Sequence, residues 1–205
     1  MRFNSSSLFV ILPTKKTKMH DDLKQALEVL RNGGIILYPT DTIWGIGCDA
    51  TNVEAVKRVY QIKQREDSKS MLVLMENPNR ISSYVDEVPE IALDLIEVAD
   101  KPTTIIYSGA KNLAKNLINS DGSIGIRITE EAFTQQLIQR FRKPIVSTSA
   151  NISGEKPAQN FTEINQDIID AVDYVVEYRQ NEMTKAQASS IIKIGADWGI
   201  QIIRE

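Results

Sequence analysis

The stretch that decides the fold is Pro144-Ile145-Val146-Ser147-Thr148-Ser149-Ala150-Asn151-Ile152-Ser153-Gly154. Its first residues are typical of the end of a buried strand, and hydroxyl, amide and glycine residues follow at once. Serine, threonine, asparagine and glycine are common turn residues, so the simplest interpretation is a turn after a strand. The same residues could instead present several hydrogen-bond donors to one ligand, and the rest of the chain has to decide between the two.

Outward from this stretch, short apolar runs alternate with amphipathic helical segments along most of the chain. The best-marked helix begins at a capping box of Thr51 and Glu54. The predicted strands before the stretch are Ile35–Tyr38, Met71–Met75, Thr103–Tyr107 and Ser123–Ile128, and those after it are Tyr174–Tyr178, Ser189–Ile194 and Gly199–Ile203. This order predicts one three-layer α/β domain with a mixed sheet, whose polar strand ends converge on a ligand-binding crevice.

The chain has 205 residues, enough for one substantial domain. We predict an N-terminal extension at 1–19, with a possible first strand at Phe9–Leu12, and the main domain at 20–205. No apolar run reaches the roughly 18 residues needed to span a bilayer, and Leu8–Pro13 is too short for a signal-peptide core. We therefore expect a cytoplasmic protein with no membrane partner.

The scarcity of cysteine and histidine excludes several kinds of site. Cys48 and His20 are the only residues of their types, so an internal disulfide is impossible and a Cys/His zinc site is almost excluded. A Ser-His-Asp triad would have to use His20, which lies in a polar segment. Cys48 is predicted to fill a buried strand position rather than to be a reactive thiol. The net charge of −3 gives no global sign of nucleic-acid binding, while a local basic site remains compatible with it.

Polar and cationic residues follow the ends of several predicted elements. Pro39-Thr40-Asp41-Thr42 ends a buried strand and is either a turn or the lip of a ligand site. Lys63 continues the apolar stripe of the capped helix, and Arg65 follows where that helix finishes. These two cations either hold an anion or are a snorkelling lysine and a solvated arginine. Arg127 lies among the polar alternates of its strand and faces either solvent or a cleft.

Taken together, these segments resemble the YrdC-like family, which makes threonylcarbamoyl-AMP. The matching pieces are Pro39-Thr40-Asp41-Thr42-Ile43-Trp44-Gly45-Ile46-Gly47, Lys63-Gln64-Arg65, Ile124-Gly125-Ile126-Arg127 and Ser147-Thr148-Ser149-Ala150-Asn151-Ile152-Ser153-Gly154, with a weaker match at Ser189-Ser190-Ile191-Ile192 followed by Arg204. No single piece is diagnostic, whereas their order and spacing fit the family from about residue 20 onward. The resemblance implies a YrdC-like fold, a twisted open α/β sheet with a large, positively charged cavity.

The resemblance also implies an enzyme, a nucleotidyltransferase that condenses L-threonine, bicarbonate and ATP and releases pyrophosphate. Other proteins would then use the product to threonylcarbamoylate an adenosine beside the anticodon of some tRNAs. A carbamate oxygen attacks the α-phosphate, so the protein must chiefly position negative charge. Mg²⁺ is expected with ATP, and the sequence points to no protein ligand for it. The alternative is a module of the same fold that binds double-stranded RNA or a nucleotide without this chemistry.

The resemblance assigns roles to individual residues. Those expected to hold ATP are Lys63, Arg65, Ser149, Asn151 and, more weakly, Arg204. Those expected around L-threonine are Thr40, Thr42, Arg127, Ser147 and Ser189. Lys63 and Arg65 would offset charge on the phosphates, and Ser149 and Asn151 would hydrogen-bond the nucleotide, so these four are the expected catalytic residues. Arg127 suits the threonine carboxylate.

The chain also departs from the family pattern. Glu66 stands where members often have a proline after Lys-x-Arg, and Ser70 and Ala188 replace two further common prolines. The usual Pro-Gly-Pro before the threonine-rich strand is reduced to Lys101-Pro102, and Leu74 stands near the position of a histidine that some relatives have. These changes resemble a paralogous branch, so the sequence alone leaves open whether synthase activity is intact.

Overall fold

The computed structural model describes residues 15–64, 71–185, 187–195 and 199–205 of the chain. The possible strand at Phe9–Leu12 therefore lies outside the described residues, as do Arg65, Glu66 and Ser70. The α-helices are α1 Lys15–Arg31, α2 Val53–Ile62, α3 Glu90–Val98, α4 Ala132–Phe141 and α5 Gln166–Ala171, and short 3₁₀ helices cover Pro78–Ser83 and Phe161–Glu163. The strands are β1 Ile36–Tyr38, β2 Gly45–Gly47, β3 Leu72–Met75, β4 Thr103–Tyr107, β5 Ile124–Ile128, β6 Ile145–Ser149, β7 Tyr174–Val175, β8 Ser190–Ile194 and β9 Ile200–Arg204.

The strands form one nine-stranded sheet in the order β7-β1-β2-β6-β3-β5-β4-β8-β9. β3 and β5 are parallel, as are β4 and β8, whereas β6 is antiparallel to both of its neighbours. The predicted α/β domain with an open mixed sheet is therefore confirmed. The register places Leu72 of β3 opposite Ser147 of β6, and Gly45 of β2 opposite Ser149. Polar residues that are distant in sequence thus lie on adjacent strands.

The core consists of the predicted apolar faces. On α1, Leu23, Ala26 and Leu30 are fully buried, and their spacing of i, i+3 and i+7 places them on one face of the helix. α1 packs against α4 and against β1, while α4 also packs against β3. Cys48 is completely buried, as predicted, and burial raises the pKa of its thiol, but the residue follows β2 instead of lying within a strand. These contacts fix the sheet on which the polar cavity is built.

One glycine is required by a close approach of two strands. A Cβ atom added at Gly47 of β2 would lie 2.6 Å from the Tyr38 ring and 2.6 Å from the Val146 carbonyl oxygen. Real Cβ atoms do not approach other atoms so closely, because the cores of proteins are already packed at crystal density. Gly47 therefore lets β1 and β6 close around β2.

The helix cap differs from the predicted capping box. Asn52 caps α2, because its side-chain oxygen accepts hydrogen bonds from the backbone amides of Glu54 and Ala55. The Thr51 hydroxyl instead donates to the Asp49 carboxylate at 2.7 Å. This hydrogen bond to a charged carboxylate, together with one from the Thr51 amide to the same oxygen, holds Thr51 in the turn before the helix, one residue ahead of the cap. The prediction of a Thr51–Glu54 box is wrong by this mechanism.

Two strand boundaries also differ from the prediction. β6 continues through Ser147 and Thr148 to Ser149, whereas the sequence suggested that the strand ends before the first hydroxyl. β7 stops at Val175, although a strand to Tyr178 was expected. It stops because the buried Asp22 carboxylate of α1 accepts hydrogen bonds from the backbone amides of Glu177 and Tyr178. A side chain from a distant helix therefore takes the amides that a strand partner would use.

Candidate functional site

A cavity of about 220 Å³ opens where β5, β6, β9 and the residue just before β8 present polar side chains. Its polar lining consists of Thr42, Arg127, Ser147, Thr148, Ser149, Ser189 and Arg204. Six of these seven are residues that the resemblance assigned to ATP or L-threonine, Thr148 being the exception. The hydroxyls of β6 are therefore not merely part of a turn, since the strand carries them along one wall of a polar cavity.

Arg127 of β5 is the buried cation of this cavity. Its side chain is only 3% exposed, and its Nη2 lies 2.9 Å from Oδ1 of Asp41. These two atoms are close enough for an ion pair, but they lie off the hydrogen-bond direction. In the described part of the chain, Nε also has no hydrogen-bond partner. Burial lowers the pKa of Arg127, and the nearby Asp41 carboxylate opposes that shift. Arg127 thus faces the cleft rather than solvent, with donors left for an anion.

A second group of contacts fixes Ser189 at the opposite wall. The Thr104 and Ser189 hydroxyls lie 2.9 Å apart, and both residues are buried. Arg204 of β9 donates through Nε and Nη2 to the Ser189 carbonyl oxygen, at 2.9 and 2.7 Å. Because the Arg204 guanidinium donates two hydrogen bonds to this backbone carbonyl, Arg204 forms part of the cavity wall and holds Ser189 in place. Thr104 was missed by the sequence reasoning, since one threonine in a β-branched strand gives no distinct signal.

The turn at Thr40–Thr42 forms a rim that separates two cavities. The Thr40 hydroxyl donates to the Ile43 carbonyl at 2.8 Å and accepts from the Thr42 amide at 3.0 Å. Thr40 does not line the first cavity but lines a second one of about 270 Å³ on the other side of the turn. Thr42 and Trp44 line both cavities, and Trp44 is packed against Phe161 at a ring distance of 4.9 Å. The segment is therefore both a turn and the lip of a ligand site. Thr40 stabilises the turn, and Thr42 lines the first cavity.

Lys63 lies beneath the loop that follows β6. It is 1% exposed, and its Nζ donates to the carbonyl oxygens of Ser149 and Asn151 at 2.5 and 2.7 Å. This burial excludes the snorkelling alternative. The Asn151 amide donates to the Ile152 and Glu155 carbonyls, so that it also holds the loop. Neither Lys63 nor Asn151 lines the cavity. The resemblance assigned Lys63 and Asn151 to ATP, whereas in the structure both side chains bind backbone carbonyls of the loop. The position of Arg65 lies outside the described residues.

The other departures from the family pattern that can be located lie in different surroundings. Ala188 lines the first cavity, so the residue that replaces a proline is at the site itself. Leu74 is completely buried in β3, opposite Arg127 on the neighbouring strand. Lys101 is exposed, and His20 is exposed on α1. Asp41 was part of the quoted motif, but no role was predicted for it.

Two features are missing from the described residues, a cluster of metal ligands and a membrane-spanning helix. Within them, no three histidine, cysteine, aspartate or glutamate side chains are grouped as a metal ion would require. A resident divalent ion held by the described side chains alone therefore has no fitting donor set. No helix in the described part of the chain is long and apolar enough to cross a bilayer.

The sequence is similar to proteins of one family. The Sua5/YciO/YrdC model, described as "Telomere recombination", matches residues 28–205. A protein named threonylcarbamoyl-AMP synthase from Pseudoalteromonas translucida is 34% identical over 155 residues, which cover 74% of this chain and 83% of the relative. A protein of the same name from Vibrio parahaemolyticus is 28% identical over 184 residues, 85% of this chain and 100% of the relative.

Solved structures share the fold. E. coli YciO superposes with a TM-score of 0.77 at 24% identity, and the match covers 95% of this chain and 91% of YciO. P. abyssi Sua5 complexed with L-threonine superposes with a TM-score of 0.79 at 19% identity, covering 95% of this chain. The chain spans only 55% of that Sua5 chain. At these identities the superpositions show the fold alone.

Proposed function

The chain belongs to the Sua5/YciO/YrdC family, and we propose that it is a threonylcarbamoyl-AMP synthase. The observation that carries this proposal is the cavity in which Arg127, Ser147, Ser149 and Arg204 of three different strands meet Ser189, the residue just before β8. Relatives that match at 28 and 34% identity bear this enzyme's name. The substrates are L-threonine, bicarbonate and ATP.

Arg127 would bind the carboxylate of L-threonine. It is buried, it lines the cavity, and its Nε has no hydrogen-bond partner among the described residues. A guanidinium with free donors suits a planar carboxylate better than a lysine does. Ser147, Ser189 and Thr42 would surround the rest of the amino acid, because their residues line the same cavity. P. abyssi Sua5 has been solved with L-threonine, which is consistent with this substrate.

ATP would lie towards Ser149, at the end of β6. Ser149 is half-buried and lines the cavity, and Arg65 would contact the phosphates from the segment after α2. Mg²⁺ would enter as the ATP complex and be held by the phosphate oxygens, since the described side chains offer no carboxylate cluster for it. Thr40, Lys63, Asn151 and Arg204 would support the site through the turn, loop and wall contacts described above.

The chemistry needs charge more than proton transfer. The threonine amine attacks the carbon of bicarbonate, and loss of water gives a carbamate. A carbamate oxygen then attacks the α-phosphorus of ATP, and the bond to the β-phosphate oxygen breaks to release pyrophosphate. Cations that hold the carbamate and the ATP phosphates close together would therefore contribute most of the catalysis. The product would pass to other proteins that modify tRNA, and the cytoplasm is the expected location.

Release of pyrophosphate from ATP tests the proposal. We expect it to require both L-threonine and bicarbonate, and threonylcarbamoyl-AMP should appear as the product by mass spectrometry. Release that is indifferent to either substrate would contradict the proposal. The alternative, a module that binds double-stranded RNA, is disfavoured by the net charge of −3. Tight, salt-sensitive binding of duplex RNA together with no pyrophosphate release would favour it instead.

A further inference from the structure

Lys63 joins the end of α2 to the loop after β6 through both its side chain and its backbone. Its Nζ donates to the Ser149 and Asn151 carbonyl oxygens, at 2.5 and 2.7 Å. Its own carbonyl oxygen accepts a hydrogen bond from the Ser153 amide at 2.9 Å. The contacts span residues 149–153, so the loop is held at its start, middle and end.

Burying the Lys63 ammonium group costs free energy, and its hydrogen bonds to the loop have to offset that cost. A buried ammonium group loses its hydration, and the loss is offset only when strong acceptors replace the water. Two carbonyl oxygens at short distances provide such acceptors. Hydrogen bonds from a charged donor are about twice as strong as neutral ones, so this lysine fixes the loop firmly. Ser149, whose carbonyl it holds, is the last residue of β6, leads into this loop and lines the cavity.

We infer that Lys63 is a positioning residue, which sets the loop that carries Ser149 and acts on the nucleotide through that loop instead of through the phosphates. The inference rests on the proposed function for the identity of the nucleotide. It does not rest on it for the geometry, because the lysine–carbonyl contacts lie within the chain itself. Since the loop would contact every adenine nucleotide that binds, the lysine should affect ATP and AMP alike.

Nucleotide binding tests the inference with an isosteric variant. Calorimetry would compare the affinities of Lys63→Met for ATP and for AMP with those of the wild type. We expect both to fall by the same factor, roughly tenfold, as for one lost charge-assisted hydrogen bond. Ser149→Ala should weaken binding as well, and the double variant should bind little worse than either single variant. A loss confined to ATP, or fully additive effects, would assign Lys63 to the phosphates and overturn the inference.

Hydrogen exchange tests the same point without a nucleotide. The amides of 149–155 should exchange at least tenfold faster in Lys63→Met, because the loop opens locally when its anchors are lost. Lys63→Gln keeps a donor and should restore part of the protection. Lys57→Met is the matched control, because Lys57 is exposed on the same helix and should leave both loop exchange and affinity unchanged. Unchanged exchange in Lys63→Met would refute the inference. If the wild type binds neither nucleotide, the proposed function fails, and the exchange data still decide the role of Lys63.

Discussion

Arg127 and Asp41 form an ion pair between a buried and a half-buried side chain, with exposed fractions of 3% and 11% and an Nη2–Oδ1 distance of 2.9 Å. The pair joins the turn after β1 to the middle of β5. Because the atoms are misaligned for a hydrogen bond, Asp41 compensates the charge of Arg127 without using its donors fully. The charge of Arg127 is therefore compensated by Asp41, while some of its N–H donors remain available to bind a second carboxylate.

Replacing Arg127 should damage threonine use selectively. Arg127→Lys keeps the charge but loses the planar fork, so we expect the KM for L-threonine to rise by about 10²-fold, equivalent to about 2.7 kcal/mol. The KM for ATP should change far less. Titration of both substrates in the pyrophosphate assay separates the two effects. Arg140→Lys, at an exposed position on α4, serves as the control. Equal rises in both KM values would contradict the carboxylate assignment.

Removing Asp41 should destabilise the fold as well as the site. Asp41→Ala leaves the Arg127 charge buried without compensation, a change that typically costs about 3–5 kcal/mol. Urea unfolding measures this directly. Asp86→Ala is the comparison, because the Asp86–Lys111 pair is largely exposed, with side chains 74% and 39% accessible, and such pairs contribute about 0–1 kcal/mol. Similar losses in the two variants would show that Asp41 does not compensate a buried charge.

The order of elements could be predicted from the sequence, because apolar periodicity marks most strands and helices here. β4 has the predicted bounds, Thr103–Tyr107. Prediction failed where a distant side chain intervened. β7 ends after Val175 because Asp22, far away in the sequence, takes the next amides. No local pattern encodes a hydrogen bond between residues so far apart.

Only part of the site could be predicted, because contacts between distant residues again leave no local pattern in the sequence. The alternation in β5 places Arg127 on one face of the sheet but does not say what covers that face. The resemblance identified the residues that meet in the cavity, yet it did not distinguish those that line it from those that support it. Lys63 and Ser149 look equally suitable for a nucleotide in sequence, and only the fold reveals that one holds the other.

Glu131 should make stability depend on pH. Its side chain is buried and caps α4, and desolvation raises its pKa, although hydrogen bonds from the Thr134 and Phe133 amides and the charge of Arg179 oppose the shift. The folded state therefore binds a proton more tightly than the unfolded state. Stability from this group is present below the ordinary glutamate pKa of about 4.3 and is lost as pH rises through the raised value.

Glu131→Gln removes that titration. We expect the variant to gain stability relative to the wild type as the pH rises from about 4 to about 7, measured as free energy of unfolding in urea. Glu130→Gln, at the adjacent exposed position, should show no such trend. An advantage of the glutamine that shrinks with rising pH would reverse the assigned sign.

Thr104 should affect the threonine site without touching the substrate. Its hydroxyl lies 2.9 Å from that of Ser189, and both residues are buried. Thr104→Val keeps the shape but leaves the Ser189 hydroxyl without this partner, which should cost about 1–3 kcal/mol in unfolding free energy. Because Ser189 would then be free to reorient, the KM for L-threonine should rise roughly tenfold, the change that follows from about 1.4 kcal/mol of lost binding.

Thr103→Val is the matched control, since the Thr103 hydroxyl donates to the Lys101 carbonyl at an exposed position. A KM unchanged in Thr104→Val, or raised equally in Thr103→Val, would show that Ser189 is not held by Thr104 for substrate binding.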